Sequence, residues 1–247
     1  MRNPVLQEAA QVYVERREYK LLHLAFMTAI ALVTVAFWPA KGFMIFFRTG
    51  TVPAVLQASL VVQLLAVTGL SLIIGLDRLA GKAIILHSEW LERTAIPVGV
   101  LFRGKLTVAV LHTLVLTGLG VPFAVVSAGP AGVPLDAVFA SLVVVLLSGL
   151  CGRFAGMLVS HLGEQNYVVR ITGGWIFLAL LFVATLPVHL PLNPIAAVVM
   201  LLGTPGDTQL LLAWTGPAAL SLILVVAYRF TLVNRRARAV QEGHDAR

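Results

Sequence analysis

The sequence predicts an all-α polytopic membrane protein with six transmembrane helices, and three observations predict it. Of 247 residues, 59% are hydrophobic and only 12% are charged, whereas a soluble domain carries about 25% charged residues. Six apolar runs stand out: Leu21–Trp38, Ala54–Leu76, Leu106–Val126, Ala137–Ser160, Ile171–Leu190 and Leu210–Phe230. Of the 18 basic and 11 acidic residues, these runs hold only Arg153 and Arg229. A hydrocarbon core of ~30 Å needs about 20 helical residues, so each run is long enough to cross. The runs are continuously apolar rather than alternating, which selects helices over barrel strands. A mean hydropathy of +0.93 excludes disorder, and a single cysteine, Cys151, excludes a disulfide scaffold.

Residues 1–20 precede the first run. Asn3 can cap and Pro4 can open a helix extending to about Lys20. Val5, Leu6, Ala9, Val12 and Tyr13 recur at helical spacing, with Glu8, Glu15, Arg16 and Glu18 mostly elsewhere on the wheel. That pattern predicts an amphipathic helix lying in the inner interface. The acidic residues and the lack of a small-residue cleavage site argue against a secretory signal.

Lys and Arg set the orientation of the membrane domain, residues 21–230. Fifteen fall in the leader, the 77–105 loop, the 161–170 loop and the last turn with the 231–247 tail, against Lys41 and Arg48 in the segments on the other side. The positive-inside rule places both termini in the cytoplasm. The net charge of +7 is this bias. Nucleic-acid binding, which needs basic and aromatic residues interleaved on one soluble face, is not predicted.

The connections differ in character. Residues 39–53 carry Phe43, Phe46 and Phe47, suited to the interface, and residues 127–136 read as a bare turn. Between the fifth and sixth runs, Pro187, Pro191, Pro194 and Pro205 frame another apolar stretch within residues 187–209. Asn193 and Pro194 supply a cap and first turn for Ile195–Leu202, too short to cross. A re-entrant helix at the outer leaflet is expected there.

The 77–105 loop is the longest polar segment and joins charge with aromatic character at His87, Glu89, Trp90, Glu92 and Arg93. Leu79–Ala95 can be helical, Pro97 breaks that helix, and a second can start at Pro97 and feed the third span. Such a folded knob exceeds what a connection needs.

Within the fourth run, Ser148, Gly152, Gly156 and Ser160 recur every four residues, a stripe that lets helix backbones approach. Its partner is either a helix of the same subunit or a second subunit. Arg153 lies on the neighbouring face, where it snorkels or pairs inward, with Glu164 as the candidate counter-ion. His112, about two turns inside the third span, bonds a neighbouring helix, reaches toward the interface or contacts a substrate.

Catalytic chemistry finds no support. Gly99 to Lys105 fits G-x-x-x-x-G-K, but Leu106 stands where a Ser or Thr must bind magnesium, and the segment enters the membrane. No His-Glu-x-x-His pair, paired intramembrane acid or cysteine cluster occurs. Ser148-Gly149 lacks the surroundings of a serine dyad, and the His87–Glu89 spacing is non-specific. The chain is therefore predicted to hold no cofactor or metal and to be no enzyme.

Several features together resemble the permease subunit of ABC-2-type ABC transporters. They are the interfacial leader, six spans with both ends inside, the inner loop after span two and the helical excursion between spans five and six. Locally, Glu89 and Glu92, Thr94 with Pro97, and Gly104-Lys105 match the family's loop. The resemblance implies an exporter in a prokaryotic cytoplasmic (inner) membrane, paired with a second copy or related permease and with a separate ATPase that binds ATP and Mg. It implies that Glu89, Trp90, Glu92, Arg93 and Pro97 form the contact with that ATPase. Spans nearly free of charge suit an amphiphilic or lipid-like passenger. The alternative is a stand-alone six-span channel or secondary carrier, which should show midplane ionisable groups or symmetry between halves.

Overall fold

The computed structural model describes residues 4–15, 17–38, 54–76, 96–162, 166–185, 193–203 and 207–245. Every described element is helical, and five helices are long and apolar enough to cross a membrane. They are α2 (Arg17–Ala36), α3 (Ala54–Gly75), α4 (Val98–Ala131), α5 (Leu135–Leu162) and α8 (Asp207–Asp245). The protein is therefore an integral multi-pass membrane protein. Three shorter helices complete the described residues: α1 (Pro4–Ala10) with a π turn at Gln11–Glu15, α6 (Tyr167–Ala179) with a π turn at Leu180–Ala184, and α7 (Pro194–Leu201).

Helix ends follow local chemistry. Pro97, with ψ 137°, holds the extended backbone from which α4 starts. Gly132 stops α4 with a left-handed φ of 63°. The Gly132 and Val133 N–H groups donate to the Gly129 and Ala128 carbonyls at 3.1 and 3.3 Å, closing a Schellman motif. Pro122 and Pro130 lie inside α4, which runs 34 residues against the 21 predicted for Leu106–Val126. Membrane helices tolerate such prolines because neighbouring groups satisfy the freed carbonyls.

α5 is the axis of the bundle and packs against α3, α4, α6, α7 and α8. Its apolar window is 61% buried against 17% for α8, so α8 lies at the periphery with one face toward lipid. The α3–α5 contact is backbone on backbone. A Cβ added to Gly152 would lie 2.5 Å from the Thr68 carbonyl oxygen, and one on Gly75 would lie 2.5 Å from that of Arg153. One on Gly156 would collide with the Leu72 carbonyl. Small residues thus bring the two helices together where lipid offers no hydrophobic drive for association.

The fifth predicted span, Ile171–Leu190, is shifted and shortened. Asn166 caps α6 by accepting from the Val168 and Val169 N–H groups at 3.1 and 3.4 Å, so the helix begins at Tyr167. With its π turn it ends at Ala184, about 27 Å at 1.5 Å per residue. That is shorter than any of the five long helices.

α7 spans only about 12 Å, yet Pro194, Ala197, Val198 and Leu201 are buried among its neighbours. Asn193 anchors it and is fully buried. Its oxygen accepts from the Ile195 and Ala196 N–H groups at 2.9 and 3.0 Å. Its amide nitrogen donates to the Phe182 carbonyl at 2.8 Å and to the Thr185 hydroxyl at 3.0 Å. One side chain therefore joins the π turn of α6 to the start of α7. Asn193→Leu should cost about 2–4 kcal/mol, since it strips a buried cap and two cross-links together. A thermal midpoint in detergent matching the parent would contradict this anchor.

The leader differs from its sequence reading in extent and in surroundings. Its helix and π turn end at Glu15, and Tyr19 and Lys20 belong to α2. Val5, Leu6, Ala9 and Tyr13 pack with Leu101, Phe102 and Val108 of α4 and with Tyr228 and Leu232 of α8. Protein, rather than headgroups alone, thus takes up its apolar face. At the other terminus the predicted tail continues α8 to Asp245, a 39-residue helix about 58 Å long that outreaches a bilayer core.

Candidate functional site

The described residues bring five polar or aromatic side chains together between the leader, α2, α4 and α5. Sequence reasoning singled out two of them separately, His112 of α4 and Arg153 of α5. Both are 5% exposed. Tyr13 of the leader's π turn lies between them. Its ring stacks on His112 with centroids 4.4 Å apart, and its hydroxyl oxygen accepts a hydrogen bond from Arg153 Nη2 at 2.8 Å. The Arg153 guanidinium carbon is 6.0 Å from the Tyr13 ring centroid. Tyr19, in the first turns of α2, meets Tyr13 edge-on at 4.7 Å and His112 at 6.3 Å.

His23 of α2 completes the group, its Nε2 lying 3.3 Å from His112 Nε2. One ring must donate and the other accept across that contact. If His23 donates, the His112 proton sits on Nδ1, a buried atom with no hydrogen-bond partner. Arg153 Nε and Nη1 are likewise buried without a partner. Among the described residues no carboxylate pairs with Arg153, and the suggested counter-ion Glu164 lies outside them. The site is a buried positive charge bonded to Tyr13, whose ring joins it to His112, with Tyr19 and His23 packed beyond. Sequence reasoning placed Tyr13 only on the leader's apolar face. The pairing of Tyr13 with Arg153, 140 residues apart, left no local signal.

Of the small-residue stripe, Gly152 and Gly156 face α3 within this chain. Ser148 is buried with its hydroxyl unpartnered, and Ser160 is partly exposed. A polar track continues along α3 away from Arg153. Gln63 donates to the Thr117 carbonyl at 2.9 Å, and the Ser59 hydroxyl lies 3.0 Å from that of Thr34 and 3.5 Å from that of Ser127. Cys151 is buried, 3.0 Å from the Ser221 hydroxyl and 3.1 Å from the Pro217 carbonyl, as a packed structural thiol.

Of the residues assigned to the ATPase contact, Pro97 is exposed at the start of α4. Glu89, Trp90, Glu92 and Arg93 lie outside the described residues. Among the described residues no group of three or more His, Cys, Asp or Glu could hold a metal. The Tyr13–His112–Arg153 cluster offers a positive charge and hydrogen-bond donors. Comparison with protein-family models, with curated proteins and with solved structures finds no match in any of the three.

Proposed function

We propose that this chain is the permease subunit of an ATP-driven ABC transporter of the ABC-2 type, exporting an amphiphilic or lipid-like substrate from a prokaryotic cell. The observation that carries the reading is the order of elements. A leader folds against α4 and α8, apolar helices follow, and a buried helix too short to cross lies between the last two.

In this reading α6 is the fifth of six spans, both termini are cytoplasmic, and α7 enters from the outer face. Two permease copies, or two related ones, enclose the path, and each docks on a separate ATPase that binds ATP and Mg. Glu89, Trp90, Glu92, Arg93 and Pro97 make that contact. ATP shifts the permease only through its differential affinity for the two states of the ATPase pair. The knob must therefore transmit closure as a rigid body.

Topology supplies an independent check. Reporters fused after residue 245 and inserted at residues 163–165 are expected to read cytoplasmic, with residues 132–134 outside. Termini on opposite sides would leave α6 short of the membrane and end the six-span reading. The partner is tested by affinity purification of the tagged chain from its own host's membranes. A stoichiometric subunit with a complete G-x-x-x-x-G-K-[ST] motif is expected. A chain that purifies intact without any such subunit contradicts the proposal.

A further inference from the structure

Among the described residues, Arg153 is a buried guanidinium with no carboxylate paired to it. Arg153 is 95% buried, its Nε and Nη1 have no partner, and its one hydrogen bond goes to a neutral hydroxyl. Charged groups in membrane proteins pair or face a polar path, because an unpaired charge in low dielectric is costly. The two acids whose side chains are described do not supply the pair. Asp136 sits 17 residues away at the far end of α5, about 25 Å along the axis, and Glu18 is exposed.

The chemistry of the arginine edge narrows the ligand. Nε–H and one Nη2–H point the same way along one side of a guanidinium, the fork that grips two oxygens of one oxyanion. Tyr13 occupies the Nη2 half of that fork, while the Nε half is unpartnered. His112 Nδ1, stacked beside Tyr13, adds an unused donor in the tautomer described above. The Tyr13 hydroxyl is therefore a weak stand-in for a charged acceptor. It is carried on a π turn of a short leader rather than on a spanning helix, and such turns recur at functional sites.

We propose that the Arg153 edge held by Tyr13 is a binding site for a phosphate oxyanion, and that the leader covers it. The group is either the headgroup phosphate of an anionic phospholipid or free inorganic phosphate; both present the same oxygens to the fork. The site does not depend on the transport reading, because it needs only the bundle and a bilayer.

The test uses the full chain in neutral maltoside detergent and follows its thermal midpoint. Phosphatidylglycerol, inorganic phosphate at ionic strength matched with chloride, and diacylglycerol are titrated separately. Stabilisation by phosphatidylglycerol alone identifies a lipid headgroup, and stabilisation by inorganic phosphate identifies the soluble anion. Equal effects of diacylglycerol and phosphatidylglycerol, with none from phosphate, overturn the site. Arg153→Leu should weaken binding by about tenfold or more, and Arg153→Lys, which keeps the charge without the fork, should fall between it and the parent. Tyr13→Phe removes the competing acceptor while keeping the ring, so it should bind at least as tightly as the parent. It remains informative if Arg153→Leu does not fold. Weaker binding in Tyr13→Phe, or unchanged binding in Arg153→Leu, contradicts the proposal.

Discussion

Gly156→Leu is expected to abolish folded protein, and Gly156→Ala to lower the thermal midpoint sharply. Any side chain on Gly156 meets the Leu72 carbonyl and the Gly75 backbone. On Gly152 it meets the Thr68 carbonyl at 2.5 Å. These neighbours are main chain, so no rotamer change can relieve the overlap and the helices must separate. Overpacking of this kind costs about 1–3 kcal/mol or more per site. The helix propensity gained from alanine returns at most about 1 kcal/mol. Substituting both glycines removes a large part of a margin of about 5–15 kcal/mol. Gly69→Ala and Gly118→Ala are the controls, because nothing lies within 4 Å of a Cβ at either position. They should be neutral or stabilising by up to about 1 kcal/mol. Detergent size exclusion and thermal scans of the four single variants decide it. Equal behaviour of Gly156→Ala and Gly118→Ala would show that α3 and α5 do not meet as described.

The second large effect concerns the 77–105 loop. Reversing both charges in Glu89→Lys/Glu92→Lys should reduce ATPase co-purification by about tenfold or more, while insertion and yield stay at parental levels. Charges at a contact with a complementary partner become like-charge pairs on reversal, and one factor of ten is about 1.4 kcal/mol. Trp90→Ala should act in the same direction if the indole anchors in an ATPase groove. His87→Ala, which the transport reading leaves outside the contact, serves as the control. A double reversal that still recovers the ATPase in full would remove these residues from the interface.

The five long membrane helices were legible because their signal is one-dimensional. A run of about 20 apolar residues is read off the chain whatever it packs against. The ends were less legible because they depend on capping geometry. Asn166 moves the start of α6 forward, and Gly132 stops α4 only at Ala131, inside the expected 127–136 turn. The basic tail looked like a separate segment since its composition changes at residue 231, yet the backbone ladder of α8 continues through it. For the leader, amphipathicity revealed an apolar face but could not say whether lipid or α4 and α8 would cover it.

The polar cluster was visible only in parts. His112 and Arg153 stand out because polar groups are rare in apolar runs. Tyr13 does not, because a tyrosine on an amphipathic face is unremarkable in composition. Their meeting joins the leader to α4 and α5 across 140 residues of sequence. The stripe on α5 is equally one-sided. Its period of four announces a close approach, while Gly75 and the Thr68 and Leu72 carbonyls, which complete the contact, have no comparable pattern on α3.

The proposed coupling to a separate ATPase is tested most directly by ATP hydrolysis in preparations of this chain. The tagged chain is purified from its host membranes into lipid nanodiscs and assayed with MgATP. The account predicts steady hydrolysis carried by a stoichiometric partner subunit and abolished when that partner's P-loop lysine is replaced. A monodisperse, correctly inserted chain that moves solutes with no hydrolysing partner and no dependence on ATP would contradict it.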